Sequence, residues 1–169
     1  MERVLILGCA GSGKSTFARL LADTTGLPLI HLDQQYWHPG WVGSERAPWI
    51  ARIAELTANP EWIMDGNYGS TLAQRLDRAE TVIFLDIPRP VCLWRVLWRT
   101  ATSYGRIRDD MPAGCPERFD WEFLKFIWNF QKMHRPQLID ALGHFDGTTI
   151  ILKTSAEVTN FRCGPLTHF

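Results

Sequence analysis

Apolar, mostly β-branched runs recur at residues 3–7, 29–32, 62–64, 81–85 and 148–152, separated by helical-period sequence or by long loops. Continuous apolar runs of this length are what strands buried on both faces require, so the pattern predicts a parallel sheet covered by helices. Helices are predicted over 14–25, 47–58, 70–79, 90–103 and 116–134, with a short one from Ser155. Pro136 should break the fifth and start a new helical turn over 136–142, because proline brings no N–H to a helix interior but suits a first turn. Trp94 and Trp98 form a stripe expected to face the core. Phe119, Phe123, Phe126, Ile127 and Phe130, with Trp121 and Trp128, stand at helical spacing and are also expected to be core. Segments 33–46 and 104–116 are loop-like but too long to be simple connections. Loops of that size in a compact domain usually carry function, and they read as a substrate flap and a lid.

With 169 residues, 46% of them hydrophobic, the chain can bury one core and is expected to be a single domain over 1–169. There are 18 Lys and Arg against 18 Asp and Glu, so no overall positive field exists to hold a phosphate backbone, and direct nucleic-acid binding is not expected. Cys9, Cys92, Cys115 and Cys163 show no zinc spacing and read as free thiols of a reducing cytosol. No charged leader precedes a long apolar segment and the apolar runs are strand-length, so a soluble, cytoplasmic protein without membrane association is expected. Oligomeric state is left open.

Immediately after the first apolar run, Gly8-Cys9-Ala10-Gly11-Ser12-Gly13-Lys14-Ser15 spells G-x-x-x-x-G-K-[ST]. The glycines Gly8, Gly11 and Gly13 let backbone N–H groups, with Ser12 among them, curl around phosphates. Lys14 brings a mobile charge to the outer phosphates, and the Ser15 hydroxyl can ligate Mg²⁺. A helix beginning about Thr16 adds its N-terminal dipole. The pattern predicts a nucleoside triphosphate site with ATP and Mg²⁺ as its cofactors.

Ligands of open parallel sheets lie beyond the carboxyl ends of the strands, where Asp33, Asp65 and Asp86 follow runs two, three and four. An Asp there can hold Mg²⁺ or accept a proton from an acceptor hydroxyl, or simply cap a helix. Arg95 and Arg99 are four apart and project from one helix face, suited to migrating phosphoryl oxygens or to an ordinary solvated surface. Arg106 and Arg108 in the lid could close over the triphosphate. Tyr36, Trp37, His38 and Trp41 could stack on an acceptor or anchor the flap on the core.

The order phosphate loop, Asp65-Gly66, Asp86-Ile87-Pro88, then Arg95 and Arg99 resembles the adenylate-kinase-like small phosphate-loop kinases. More narrowly, His31-Leu32-Asp33, Pro39-Gly40-Trp41, Asp65-Gly66-Asn67-Tyr68 and the run from Asp110 to Arg118 resemble the bacterial DNA topology modulation proteins of the FlaR type. The resemblance implies a three-layer α/β/α fold with a five-stranded parallel sheet, order 2-3-1-4-5. It also implies a Mg²⁺-associated Asp65, Arg95 and Arg99 beside base and phosphates, and residues 153–158 near the adenine. Gln34-Gln35-Tyr36 and Asn67-Tyr68-Gly69 stand where an adenylate kinase has its acceptor arginines, which disfavours AMP. Asp33 is placed like the acidic residue with which shikimate- and gluconate-type kinases approach an acceptor hydroxyl. The tail from Phe161 is shorter and less helical than the final helix of that group.

The expected activity is transfer of the γ-phosphoryl of ATP to a small nucleoside-, nucleotide- or sugar-like acceptor. Lys14, Asp33, Arg95 and Arg99 are the expected catalytic residues, and Ser15 and Asp65 the metal ligands. The competing class is a nucleotide-binding regulator of DNA topology without phosphotransfer.

Overall fold

A computed structural model describes residues 1–163, side chains to Phe161, so the expectations for Cys163 and the Gly164-Pro165 stretch lie outside the described residues. Five parallel strands form the main sheet: β1 (Arg3–Gly8), β2 (Leu29–His31), β5 (Trp62–Asp65), β6 (Thr81–Leu85) and β7 (Thr148–Leu152). Their spatial order is β2-β5-β1-β6-β7, the predicted 2-3-1-4-5 order in terms of these five strands. Every residue of β5 and β6, and β1 from Val4 onward, is buried, as a sheet covered on both faces demands.

The covering helices are α1 (Lys14–Thr25), α3 (Arg46–Thr57), α4 (Leu72–Leu76), α5 (Arg89–Ser103), α6 (Trp121–Met133), α7 (Arg135–Gly143) and α8 (Ser155–Cys163). Pro136 does fall at the start of α7 rather than within α6. The fifth predicted helix begins later than 116, at Trp121, where Asp120 caps it by accepting the N–H of Phe123 at 3.0 Å. Helix α8 runs to Cys163, so Phe161 is helical and its ring lies 5.8 Å from that of Phe17. Segment 33–46 is not plain loop. It holds most of a single-turn helix, α2 (Leu32–Tyr36), and a two-stranded hairpin, β3 (Trp37–His38) with β4 (Val42–Gly43).

Two core expectations need correction. Helix α5 buries Cys92, Val96 and Thr100; Trp94 and Trp98 stand two residues further round, about 200° away at 3.6 residues per turn, and are 65% and 61% exposed. Arg95 and Arg99 fall beside the buried stripe instead. In α6 only Ile127 and Phe130 are buried; Trp121 and Trp128 lie on the opposite side and are exposed, and Phe119 and Phe123 are exposed too. Helical spacing alone does not say how much of a stripe finds a neighbour.

Candidate active site

The strand order places β5 between β2 and β1, so the carboxyl ends of three strands meet at one rim. His31 and Asp65 end adjacent strands in register. Their side chains therefore meet: His31 Nδ1 is 3.0 Å from Asp65 Oδ2, both nearly buried. The other oxygen, Asp65 Oδ1, is buried without a hydrogen-bond partner.

The phosphate loop leaves β1 and enters α1 at Lys14. Gly11 has φ +80°, and a Cβ there would run into the Cys92 carbonyl of α5, so only glycine lets the loop lie this close to that helix. Asn67 fixes the start of the loop: its Oδ1 accepts the Gly8 N–H at 3.0 Å and its Nδ2 donates to the Gly8 carbonyl at 2.7 Å. Lys14 Nζ donates to the Cys9 carbonyl at 3.1 Å. Gly8 and Ser12 support the loop from behind, Ser12 with its hydroxyl buried and unpartnered, while Gly11, Gly13, Lys14, Ser15 and Thr16 line the cavity.

Asp33, in the first turn of α2, accepts a hydrogen bond from Tyr68 Oη at 2.5 Å. Burial raises its carboxyl above the ordinary aspartate range, opposed by the Tyr68 bond and the Lys14 charge. Burial and the Asp33 charge together push the Tyr68 phenol up, so it stays a donor. Tyr68 is held from below by Arg75, which is fully buried and donates to the carbonyls of Gly66 and Tyr68 at 2.9 Å each and to that of Asn67. Burial brings the Arg75 guanidinium down to about 9, still protonated at neutral pH. Arg75→Met leaves these carbonyls unpaired, and at about 1–3 kcal/mol for each buried unsatisfied group we expect a loss of about 3 kcal/mol or more, read as a lower urea midpoint.

Arg95 donates to the Ser12 carbonyl at 3.2 Å and to Ser155 Oγ at 2.9 Å. Arg99 pairs with Glu117 at 3.1 Å; the same carboxylate accepts Thr100 Oγ1 at 2.8 Å and lies 3.4 Å from Arg108 Nε. Burial, followed by the charge of Arg108, lowers the Arg99 guanidinium's pKa. Arg95, Arg99, Arg106 and Arg108 all line the cavity. Asp86 does not join them: Arg135 grips both its oxygens at 2.7–3.1 Å, tying β6 to α7.

Segments 33–46 and 104–116, the expected flap and lid, are tied to each other. Gly40 N–H donates to the Gly114 carbonyl at 2.9 Å, Trp41 Nε1 to that of Pro116 at 3.1 Å, and Cys115 Sγ to that of His38 at 3.2 Å. Gly114 has φ +81°, and a Cβ would sit 2.8 Å from Pro39 Cβ. The Gly-Cys-Pro-Glu-Arg run is thus a latch as far as Pro116, with Glu117 behind it gathering Arg99 and Arg108. The flap aromatics divide their work: Tyr36 packs on Trp49 and Tyr68, whereas Trp37 and Trp41 line the cavity. Asp110, quoted in the sequence only as the start of a motif and given no role, is nearly buried; burial raises its carboxyl, and the charge of Arg108, followed by Ser15, outweighs that and holds it below the ordinary range.

The residues present fit Mg·ATP. Among the described residues no cluster of three or more His, Cys, Asp or Glu forms a metal cage, but Mg²⁺ needs only one or two protein oxygens beside phosphates and water. The unpartnered Asp65 Oδ1 and the Ser15 hydroxyl offer those.

No protein-family model matches the chain, and no curated protein sequence matches it significantly. Solved structures do resemble it. A shikimate kinase from Acinetobacter baumannii, in complex with shikimate, superposes with TM-score 0.60 at 16% identity over 96% of this chain and 89% of the other. A gluconokinase from Sinorhizobium meliloti gives TM-score 0.53 at 16% identity over 95% and 93%. At this identity the likeness establishes the fold: the α/β architecture of small phosphate-loop kinases. No helix among the described residues is long and apolar enough to cross a membrane.

Proposed function

We propose that this protein is a Mg²⁺-dependent kinase that transfers the γ-phosphoryl group of ATP to a hydroxyl of a small acceptor held between flap and lid. The observation that carries this reading is convergence: Lys14, Asp33, Arg95, Arg99 and the lid arginines, from separate segments, border the same cavity as Asp65. Lys14 and the loop N–H groups hold the β- and γ-phosphates. Ser15 and Asp65 hold Mg²⁺, which when bound neutralises the phosphate oxygens. Asp33, oriented by Tyr68, takes the acceptor's proton as its oxygen bonds to the γ-phosphorus and the bond to ADP breaks. Arg95, Arg99, Arg106 and Arg108 answer the charge spreading over the transferred group. The lid latch excludes the water that would otherwise accept the phosphoryl group.

Within this reading the chain is a kinase of the DNA topology modulation group, acting on a small molecule rather than on DNA. Incubation with γ-labelled ATP, Mg²⁺ and panels of nucleosides, nucleotides, sugars and sugar acids tests it. A labelled acceptor product is expected; slow hydrolysis alone, across all panels, would sink the kinase and favour a nucleotide-dependent switch.

A further inference from the structure

Beyond Tyr68 and Gly69 the same cavity, about 1640 Å³ in all, continues into a groove between α4 and α6. Single ligand sites run to about 300–1,000 Å³, so this space suits a nucleotide and a second molecule of comparable size. Chemistry changes along it. Cations and carboxylates crowd the end at the phosphate loop. Six apolar side chains line the groove, Ala73 and Leu76 from α4, Phe123, Phe126 and Phe130 from α6 and Leu138 from α7, with Asp77, His134 and Gln137 also on the lining. The aromatic stripe of α6 is only partly used by the core, since Phe123 is 37% exposed and Phe126 half-buried, their rings parallel within 10° at 6.4 Å.

We propose that the acceptor is an amphipathic alcohol, its hydroxyl-bearing head at Asp33 and its alkyl or aryl tail in the groove between α4 and α6. This rests on the kinase reading and names the substrate class of that site. The six apolar side chains offer a charge no partner, and an unpaired charge is costly to bury, so the part of the ligand lying against them is apolar. The occupant is a small molecule rather than a protein surface because the groove is continuous with the cavity lined by Lys14 and Asp33.

Calorimetric titration of vicinal diols, from propanediol to octanediol, tests the inference. About threefold to fourfold tighter binding per added CH₂ is expected, the gain for burying a methylene, until the groove is filled. Ala73→Trp fills the groove from an exposed helix position and should flatten this dependence; Leu76→Gln serves if that variant does not fold. Chain-length independence in the unmodified protein overturns the proposal, as does an unchanged slope in both variants. Sedimentation showing a dimer that Ala73→Trp dissolves also overturns it, because a second copy then covers the groove. Mg·ATP titration of the unmodified protein is read separately: no binding sinks the kinase reading, whereas the diol series, run without nucleotide, still judges the groove.

Discussion

Lys14→Ala should abolish turnover of ATP, lowering it by about 10³-fold or more, the scale on which a preorganised cation at a transferring phosphoryl group acts. The side chain lines the cavity and its hydrogen bond runs to the Cys9 carbonyl. Removing it takes nothing from the core, and the variant should unfold at nearly the urea concentration of the parent. Mg·ATP affinity should fall as well, because the loop N–H groups alone then carry the outer phosphates. A coupled ADP assay with calorimetry measures both. Turnover close to that of the parent would remove Lys14 from the mechanism and, with it, the phosphate-loop reading of the amino-terminal turn.

Asp33→Asn should leave Mg·ATP binding within about twofold and lower transfer by about 10²–10⁴-fold, the usual worth of a general base. The amide oxygen can still accept the Tyr68 hydroxyl, so the loop geometry survives while the proton acceptor does not. The pH profile supplies an independent check. Protonated Asp33 cannot take the acceptor's proton, so transfer falls as pH drops through its pKa. Burial places that pKa above the ordinary aspartate value of about 3.9. The acid limb should therefore lie at higher pH than an exposed aspartate would give, and should vanish in Asp33→Asn. Loss of ATP affinity in this variant would instead make Asp33 a scaffold for the nucleotide site. Each test reads a different part of one rim, Lys14 on the nucleotide side and Asp33 on the acceptor side.

The latch between flap and lid bears on both experiments, since under the proposed function transfer requires the acceptor to enter and water to stay out. Its contacts are mostly single hydrogen bonds to backbone carbonyls at partly exposed positions, each worth about 1 kcal/mol net. Such a latch can open and close within a catalytic cycle. Arg75, in contrast, is fully buried and fixed, which suits a residue that sets the position of Tyr68 under Asp33.

Much of this was legible in the chain itself. Continuous apolar runs such as Val4-Leu5-Ile6-Leu7 declare strands buried on both faces, because burial of β-branched residues is a local compositional demand. The phosphate loop is equally local: its glycine spacing, Lys14 and Ser15 lie within one turn, so a linear pattern contains the geometry. Asp33 and Asp65 could be expected on the cavity's rim because the ends of parallel strands share it. What the chain could not declare were relations between segments far apart in sequence. The His31 and Asp65 pair needs β2 beside β5; the exposure of Trp94 and Trp98 depends on which side of α5 meets the phosphate loop. Asp110 comes beside Ser15, and side chains of α4 and α6 line one cavity, only once the sheet has placed the segments that carry them. Periodicity fixes which residues share a face of a helix, and tertiary packing alone fixes what that face meets.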